Sequence, residues 1–224
     1  MLMENSQKTV AITGANRGIG LALARKFHEN GYKIYGLCRQ GSQELRDMGA
    51  EVIENIDVTN LEALRAAEAE LPELDILINN AGLLIGDSLE SVEIEKIQAQ
   101  FEVNTLGPLK VGMTLAKKLK SGGTLGIVTS RMGSIRDNTS GGQYGYRLSK
   151  AAANAVGKSL SEDLRRNGVC VLMLHPGYVR TEMTGGNGLI DTTESAEGLF
   201  KILTEKGIDK TGSFWHTTGE ELPW

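Results

Sequence analysis

Short apolar runs alternate with longer amphipathic stretches along this sequence, and that alternation restricts the fold more than any other feature. The runs occupy residues 8–13, 32–38, 51–55, 74–79, 124–129, 169–175 and 213–216. The stretches between them, 18–30, 42–48, 60–71, 91–120, 143–167 and 192–206, read as helices. In the first, Ile19, Leu23 and Phe27 fall four apart on one face, and Gly31 stands where a helix stop belongs. Asn60 is placed to cap the third, and Pro108 should bend or interrupt the fourth. Near-continuous apolar strands suit a sheet covered on both faces. Strand–helix alternation calls for parallel strands joined by right-handed crossovers. The expected fold is α/β: a doubly wound parallel sheet of about seven strands with helices on both faces.

The 224 residues suffice for one well-buried domain, and no internal boundary, repeat or low-complexity segment divides them. With 40% hydrophobic and 23% charged residues, the composition argues against disorder. The net charge of -4 and the lack of a long basic stretch argue against nucleic acid as a partner. Lys117, Lys118 and Lys120 read as a solvated helix end. Cys38 and Cys170 lie inside apolar runs and read as buried strand thiols; neither a disulfide framework nor a metal site is expected. Residues 1–8 are polar and lack an apolar signal region. The apolar runs fall far short of the roughly 18 residues that span a membrane. The expected location is the cytoplasm.

The first run leads into Thr13-Gly14-Ala15-Asn16-Arg17-Gly18-Ile19-Gly20. Glycines permit a tight turn and a close approach of backbone to a pyrophosphate, and the free N–H groups of the helix that follows suit an anion. A glycine-rich turn alone says little, but this one sits between a strand and a helix, the context a dinucleotide requires. The spacing G-x-x-x-G-x-G differs from G-x-G-x-x-G, and no Lys-Ser/Thr follows as in a P-loop. An acidic residue ending the second strand would hold the ribose 2′-hydroxyl of NAD. Leu37-Cys38-Arg39-Gln40 has none. Arg39, with Arg17 as a second cation, can pair with a 2′-phosphate instead. NADP(H) is therefore preferred over NAD(H).

Tyr146 and Lys150 lie four apart on one helix face. A phenol near pKa 10 is a poor base at neutrality; a nearby ammonium stabilises the phenolate and lets the pair exchange a proton with a hydroxyl or carbonyl. Ser130 follows the fifth run, where a hydroxyl can bond a substrate oxygen. Asn79-Asn80-Ala81-Gly82 ends the fourth, and Asn104 lies in the long helical region. A buried helical asparagine serves either a site or the backbone around it. His175 reads as a packed residue beside the cofactor loop, and His28 and His216 have no matching carboxylate or metal spacing.

The ordered set Gly14…Gly18-Ile19-Gly20, Asn79-Asn80-Ala81-Gly82, Asn104, Ser130, Tyr146-x-x-x-Lys150 and Pro176-Gly177 resembles the short-chain dehydrogenase/reductase family over nearly the whole chain. The segments 129–135, 137–142 and 144–147, with the ending Gly219-Glu220-Glu221-Leu222-Pro223-Trp224, look closest to its C-factor-like and sniffer-type carbonyl reductase branch. The resemblance implies one Rossmann-type domain over residues 1–224 and hydride transfer between NADP(H) and a small-molecule carbonyl or alcohol. It implies Tyr146 as acid in reduction and base in oxidation. Lys150 would bind the nicotinamide ribose and lower the phenol pKa. Ser130 would polarise the carbonyl, and Asn104 would position Lys150 through a water. Gly14, Asn16, Gly18, Ile19 and Gly20 would cradle the cofactor, Asp57 and Val58 contact adenine, and Asn80, Ala81 and Gly82 line the ribose. Pro176, Gly177, Val179 and Thr181 would face the nicotinamide.

Ser130 lies 16 residues before Tyr146, further than is usual in the family, so Ser134 competes with it. Tyr144 has Leu148 where a lysine would be needed. The short region after Thr181 implies a small lid and an open pocket. The pocket should be formed by loops 83–87, 131–144 and 181–189. A C-factor-like signalling or regulatory protein with little turnover is the alternative. Pairing through the two long helices would give a homodimer or homotetramer. Ala151, Ala152, Ala153, Ala155 and Gly157 would allow such packing, or equally packing inside the monomer.

Overall fold

The structure, a computed structural model, describes residues 7–224; the polar start of the sequence lies almost wholly outside them. Strands β1 (Thr9–Thr13), β2 (Lys33–Leu37), β3 (Glu51–Ile53), β4 (Leu74–Asn79), β5 (Leu119–Val128), β6 (Cys170–His175) and β7 (Ser213–His216) form one sheet. Its order is β3-β2-β1-β4-β5-β6-β7, and every named pair is parallel. The order reverses at β1 and β4, which opens a crevice at their carboxyl ends, where such sheets take ligands. The Rossmann-type doubly wound fold expected from the alternation is the fold observed.

Helices α1 (Gly18–Glu29), α2 (Gln43–Asp47), α3 (Leu61–Glu70), α4 (Ile94–Phe101), α5 (Gly107–Leu115), α6 (Tyr144–Arg165) and α7 (Thr192–Glu205) cover the two faces. Alternate strand residues feed two cores. On one face Ala11, Leu77, Ile127 and Met173 pack with Leu64, Val111 and Leu115. On the other, Ile12, Ile78 and Leu174 pack with Leu23, Phe27, Leu199 and Leu203. The strands are buried on both sides because helices cover both sides, which explains their continuous apolar runs. Asn60 caps α3 as expected, its Oδ1 accepting from the N–H groups of Glu62 and Ala63.

Two expectations are corrected. The helix over 91–120 is three pieces: α4, a π-helical turn Glu102–Leu106, and α5. Pro108 offers no N–H and its ring would strike the Asn104 carbonyl. The ladder widens just before it, with the Gly107 N–H reaching back to Glu102. A Cβ at Gly107 would meet Val58 Cγ2 at 2.9 Å, so the widened turn lies hard on the core. The second correction is the start of β5 at Leu119 instead of Thr124. Leu119 pairs with Leu74, the register then slips, and pairing resumes at Ile76 with Thr124. Gly122, at φ 86, takes up the slip in a backbone region open to glycine. Lys120 consequently lies in a strand and pairs with Asp75, and Lys118 donates to the Leu71 carbonyl. Lys117 and Lys118 do end the helical turn after α5, with Lys117 exposed, as expected; Lys120 does not, and the cluster also ties the corner between α3 and β4.

Candidate active site

The turn after β1 is built for close approach. Gly14 and Gly18 have φ of 66° and 56°, which glycine adopts without strain. A Cβ at Gly20 would lie 2.2 Å from the Gly14 carbonyl oxygen, so α1 begins pressed against the turn. Arg17 is its N-cap residue, with no side-chain cap and no acidic residue in the first turn. The N–H groups of Gly18, Ile19 and Gly20 have no partner among the described residues, whereas that of Leu21 bonds the Arg17 carbonyl. An open, positively polarised helix end of this kind fits a pyrophosphate. Asn16 is half-buried inside the turn.

Asn80 does more structural work than expected. Its Nδ2 donates to the carbonyls of Thr13 and Gly14, at 3.0 and 3.1 Å, and so holds the glycine turn. The Thr13 hydroxyl, which sequence reading passed over, accepts from the N–H groups of Asn80 and Ala81. Beside them a Cβ on Gly82 would meet Asn104 Oδ1 at 3.3 Å and Lys150 Nζ at 3.7 Å, so this glycine marks where β4 meets the catalytic candidates.

At the end of β2, Arg39 is exposed and close enough to Asp57 to help hold its carboxyl below the usual carboxylate range; the N–H of Thr59 is the larger cause. Val58 is buried, its side chain packed against Gly107 at the end of the π-helical turn. Arg17 is exposed and ion-paired with Glu182 of the 3₁₀ turn after Thr181. That partner was invisible in the sequence, 165 residues away. The Thr181 methyl group also lies over the glycine turn, 3.8 Å from a Cβ built on Gly18. The segment after β6 therefore reaches across the crevice to the glycine turn. In that segment Gly177 has φ 89°, Val179 is buried and the Pro176 carbonyl accepts from Ser195.

Tyr146 and Lys150 are 9% and 4% exposed, together on the inner face of α6. Lys150 Nζ donates to the Val128 carbonyl at 2.9 Å and lies 5.7 Å from the centre of the Tyr146 ring. Burial pushes the phenol up to about 12, partly offset by the neighbouring Ser130 hydroxyl. Burial also brings Lys150 down to about 8. The lowering of the phenol expected from the ammonium is not seen in this geometry: Lys150 turns its ammonium to the Val128 carbonyl, and burial raises the phenol. Ser130 and Ser134 differ in their position relative to the phenol. Each hydroxyl accepts one N–H of its own turn, Ser134 from Asp137 and Ser130 from Met132, but it is the Ser130 hydroxyl that lies near enough to Tyr146 to act on the phenol.

Asn104 is 1% exposed, in the π-helical turn. Its Oδ1 accepts from the Leu83 N–H, and its Nδ2 donates to the Leu83 carbonyl and to Ser149 Oγ. The amide is thus spent on the loop after β4, and no direct bond from it to Lys150 is present among the described residues. The sequence also passed over Gln100, fully buried, whose Oε1 accepts from the Ile85 N–H of the same loop. His175 is neutral: burial and His216 hold it down at about 3, and its ring meets that of His216 edge to face at 4.9 Å.

These features place the glycine turn and the crevice at the carboxyl ends of β1 and β4 beside a buried Tyr–Lys pair, and comparison with known proteins agrees. Residues 8–189 match the short chain dehydrogenase family. The chain is 39% identical to 1-hydroxy-2-glutathionyl-2-methyl-3-butene dehydrogenase of Rhodococcus sp. strain AD45, over 96% of this chain and 99% of that protein. It is 38% identical to C-signal of Myxococcus xanthus, over 67% of this chain and 93% of that one. Its fold superposes on the carbonyl reductase Sniffer of D. melanogaster with a TM-score of 0.89 at 28% identity, covering 97% and 100% of the two chains. The NADPH-bound carbonyl reductase from chicken fatty liver gives 0.87 at 26%, covering 97% and 99%. Sheet order, glycine turn, Tyr–Lys pair and relatives converge: the chain belongs to the short-chain dehydrogenase/reductase family of oxidoreductases.

Proposed function

We propose that this protein is an NADP(H)-dependent reductase that converts an aldehyde, ketone or quinone to an alcohol, with Tyr146 as general acid. The observation that carries this reading is the burial of Tyr146 and Lys150 on one face of α6, with the lysine ammonium 5.7 Å from the centre of the phenol ring. Ser130 orients and polarises a carbonyl oxygen. Tyr146 gives that oxygen a proton as charge develops on it. Lys150, an ammonium below about pH 8, stabilises the phenolate left behind. Asn104 acts at a distance, holding the loop at Leu83 beside the lysine.

The residues fit a dinucleotide. The open N–H groups of Gly18, Ile19 and Gly20 take the pyrophosphate, with Gly14 and Asn16 completing the turn. Arg39 and Arg17 take the 2′-phosphate. Asp57 and Val58 border the adenine, Ala81 and Gly82 the ribose, and Pro176, Gly177, Val179 and Thr181 the nicotinamide side. When bound, the nicotinamide supplies the hydride. The preference for NADP(H) is supported by the missing acid after β2 and by the likeness to the NADPH-bound chicken carbonyl reductase.

One domain over residues 1–224 carries these parts in our reading. The two cysteines are free and buried, which fits a reducing compartment such as the cytoplasm. No helix among the described residues is long and apolar enough to cross a membrane. An apolar groove on α4 and α6 supports a homodimer or homotetramer. NADPH consumption against aldehydes, ketones and quinones, with Tyr146→Phe as control, tests the chemistry. Turnover unaffected by that substitution sinks the mechanism. The likeness to the Rhodococcus dehydrogenase adds an alcohol-oxidation arm to the screen. The likeness to C-signal favours a second reading, a signalling or regulatory protein. Cofactor binding without turnover of any carbonyl or alcohol would select it.

A further inference from the structure

The helix that carries Tyr146 and Lys150 lacks a cap of its own. Its N-cap residue, Gln143, makes no side-chain capping bond and sits at φ 54°, a left-handed conformation that a non-glycine residue holds only under outside constraint. The constraint comes from Asp87, 57 residues before Tyr144 in the loop after β4. One carboxylate oxygen accepts from the Tyr144 N–H at 2.5 Å and the other from the Gly145 N–H at 2.9 Å. The Asp87 carbonyl accepts from the Gln143 N–H at 3.0 Å. Three successive N–H groups at the start of α6 thus end on one residue, whose negative charge suits the positive end of the helix dipole.

Asp87 is itself held. Asn104 takes both main-chain groups of Leu83, and Gln100 takes the N–H of Ile85, so the loop 83–87 is bolted to α4 and the π-helical turn. The fit is close from the other side as well. A Cβ on Gly145 would lie 2.4 Å from Gln100 Nε2, 3.2 Å from Asp87 Oδ2 and 3.3 Å from the Ile97 Cα, so a larger residue would have to displace Gln100 and crowd the capping carboxylate. Tyr146 is the next residue.

We infer that Asp87 is a positioning residue: by capping α6 from the loop after β4, it sets the first turn of that helix and with it the phenol of Tyr146. The inference rests on the proposed carbonyl reduction. It assigns Asn104 and Gln100 to the same task, as the anchors of the capping loop.

The test compares wild type, Asp87→Ala, Asp87→Asn and Tyr146→Phe by steady-state kinetics and by hydrogen exchange of the α6 amides. Misplacing a reacting group by about 1 Å costs up to about 100-fold in rate. Asp87→Ala is therefore expected to lower kcat about tenfold, while KM for NADPH stays within about twofold. Asp87→Asn keeps one acceptor and should regain most of the loss. Exchange at Tyr144 and Gly145 should quicken in Asp87→Ala and stay unchanged in Tyr146→Phe. An unchanged kcat in Asp87→Ala overturns the inference, as does a kcat loss matched by an equal rise in the KM for NADPH. If Asp87→Ala does not fold, Asp87→Asn decides by exchange: one of the Tyr144 and Gly145 amides loses its acceptor and should quicken, and wild-type protection of both overturns the inference. If the wild type reduces no carbonyl, the functional reading falls by itself. Exchange then judges the cap alone, and unchanged protection of Tyr144 and Gly145 removes it too.

Discussion

Lys150 lies over Tyr146, its ammonium 5.7 Å from the centre of the phenol ring, yet its hydrogen bond goes to the Val128 carbonyl on β5. The lysine thus serves the tyrosine through space and is anchored by the sheet. Burial brings Lys150 to about 8, so its charge is lost within an accessible pH range. The proposed proton transfer needs that charge beside the nascent phenolate. We expect kcat/KM for carbonyl reduction to fall as pH rises through about 8, a profile that reports groups of the free enzyme. Lys150→Met should keep only a residual rate without this limb. A wild-type profile flat to pH 10 contradicts the assignment.

The same lysine should cost stability. Its folded value, about 8, lies below the 10.5 of an ordinary lysine. Between those values the unfolded chain binds the additional proton, so stability rises with pH across that window. The full penalty stands below about pH 8, and the gap corresponds to about 3 kcal/mol. Losing the bond to Val128 returns about 1 kcal/mol of it. Lys150→Met should therefore be about 2 kcal/mol more stable at pH 7, with the gain shrinking toward pH 10. Urea unfolding at the two pH values measures both, and a variant less stable than wild type at pH 7 refutes the reading.

Arg17 pairs with Glu182 while it is also the second candidate for the 2′-phosphate. Both side chains are largely exposed, at 66% and 79%, so the pair is worth little by itself. It nevertheless competes with a phosphate for one guanidinium. Glu182→Gln should lower KM for NADPH about two- to fivefold, the scale of an exposed ion pair, and leave NADH almost unchanged. Arg39→Ala should raise KM for NADPH alone. An equal effect of Glu182→Gln on both cofactors would make Glu182 a general lid contact and not a determinant of selectivity.

The sheet was legible because each strand is covered on both faces and each helix on one, so residue period encodes layer. The glycine turn, Tyr146 and Lys150 were legible because each is local: a turn, or two residues one helical turn apart. What failed was long-range. Nothing in the sequence near Ser130 or Ser134 tells which hydroxyl lies near Tyr146; each accepts one N–H of its own turn, and the packing of α6 against the end of β5 brings Ser130 there. Glu182 on Arg17 and Asp87 on α6 were out of reach for the same reason, since these pairs span 165 and 57 residues. The direction of the Tyr146 shift was misread because the neighbouring charge shows in sequence and the depth of burial does not.

His175 offers a test on stability. Its Nδ1 is buried without a partner among the described residues, and burial with His216 alongside holds the ring neutral, at about 3. An unfolded histidine takes a proton near pH 6.5. Below that value the unfolded chain binds the additional proton, so stability falls with acidification until about pH 3. Between pH 7 and pH 4.5 the loss from this residue is about 2–3 kcal/mol. His175→Gln should remove most of it. Equal pH sensitivity of that variant and the wild type, compared by denaturant unfolding, places the acid-labile group elsewhere.

Assembly can be tested on one face. Ile97, Phe101, Leu148 and Ala152 line a shallow groove of about 570 Å³ on α4 and α6. Phe101 and Leu148 are 38% and 54% exposed there. The small residues of α6 divide between two tasks: Ala153 and Gly157 are buried inside, Gly157 against Met173 and Ile127, whereas Ala152 lines the groove. Contiguous exposed apolar surface of this kind marks contact sites. Light scattering should give a dimer or tetramer for the wild type. Leu148→Glu, which forces an unpaired charge into the contact, should give a smaller species. A monomeric wild type refutes assembly through this face, and a Leu148→Glu variant of unchanged mass moves the interface away from it.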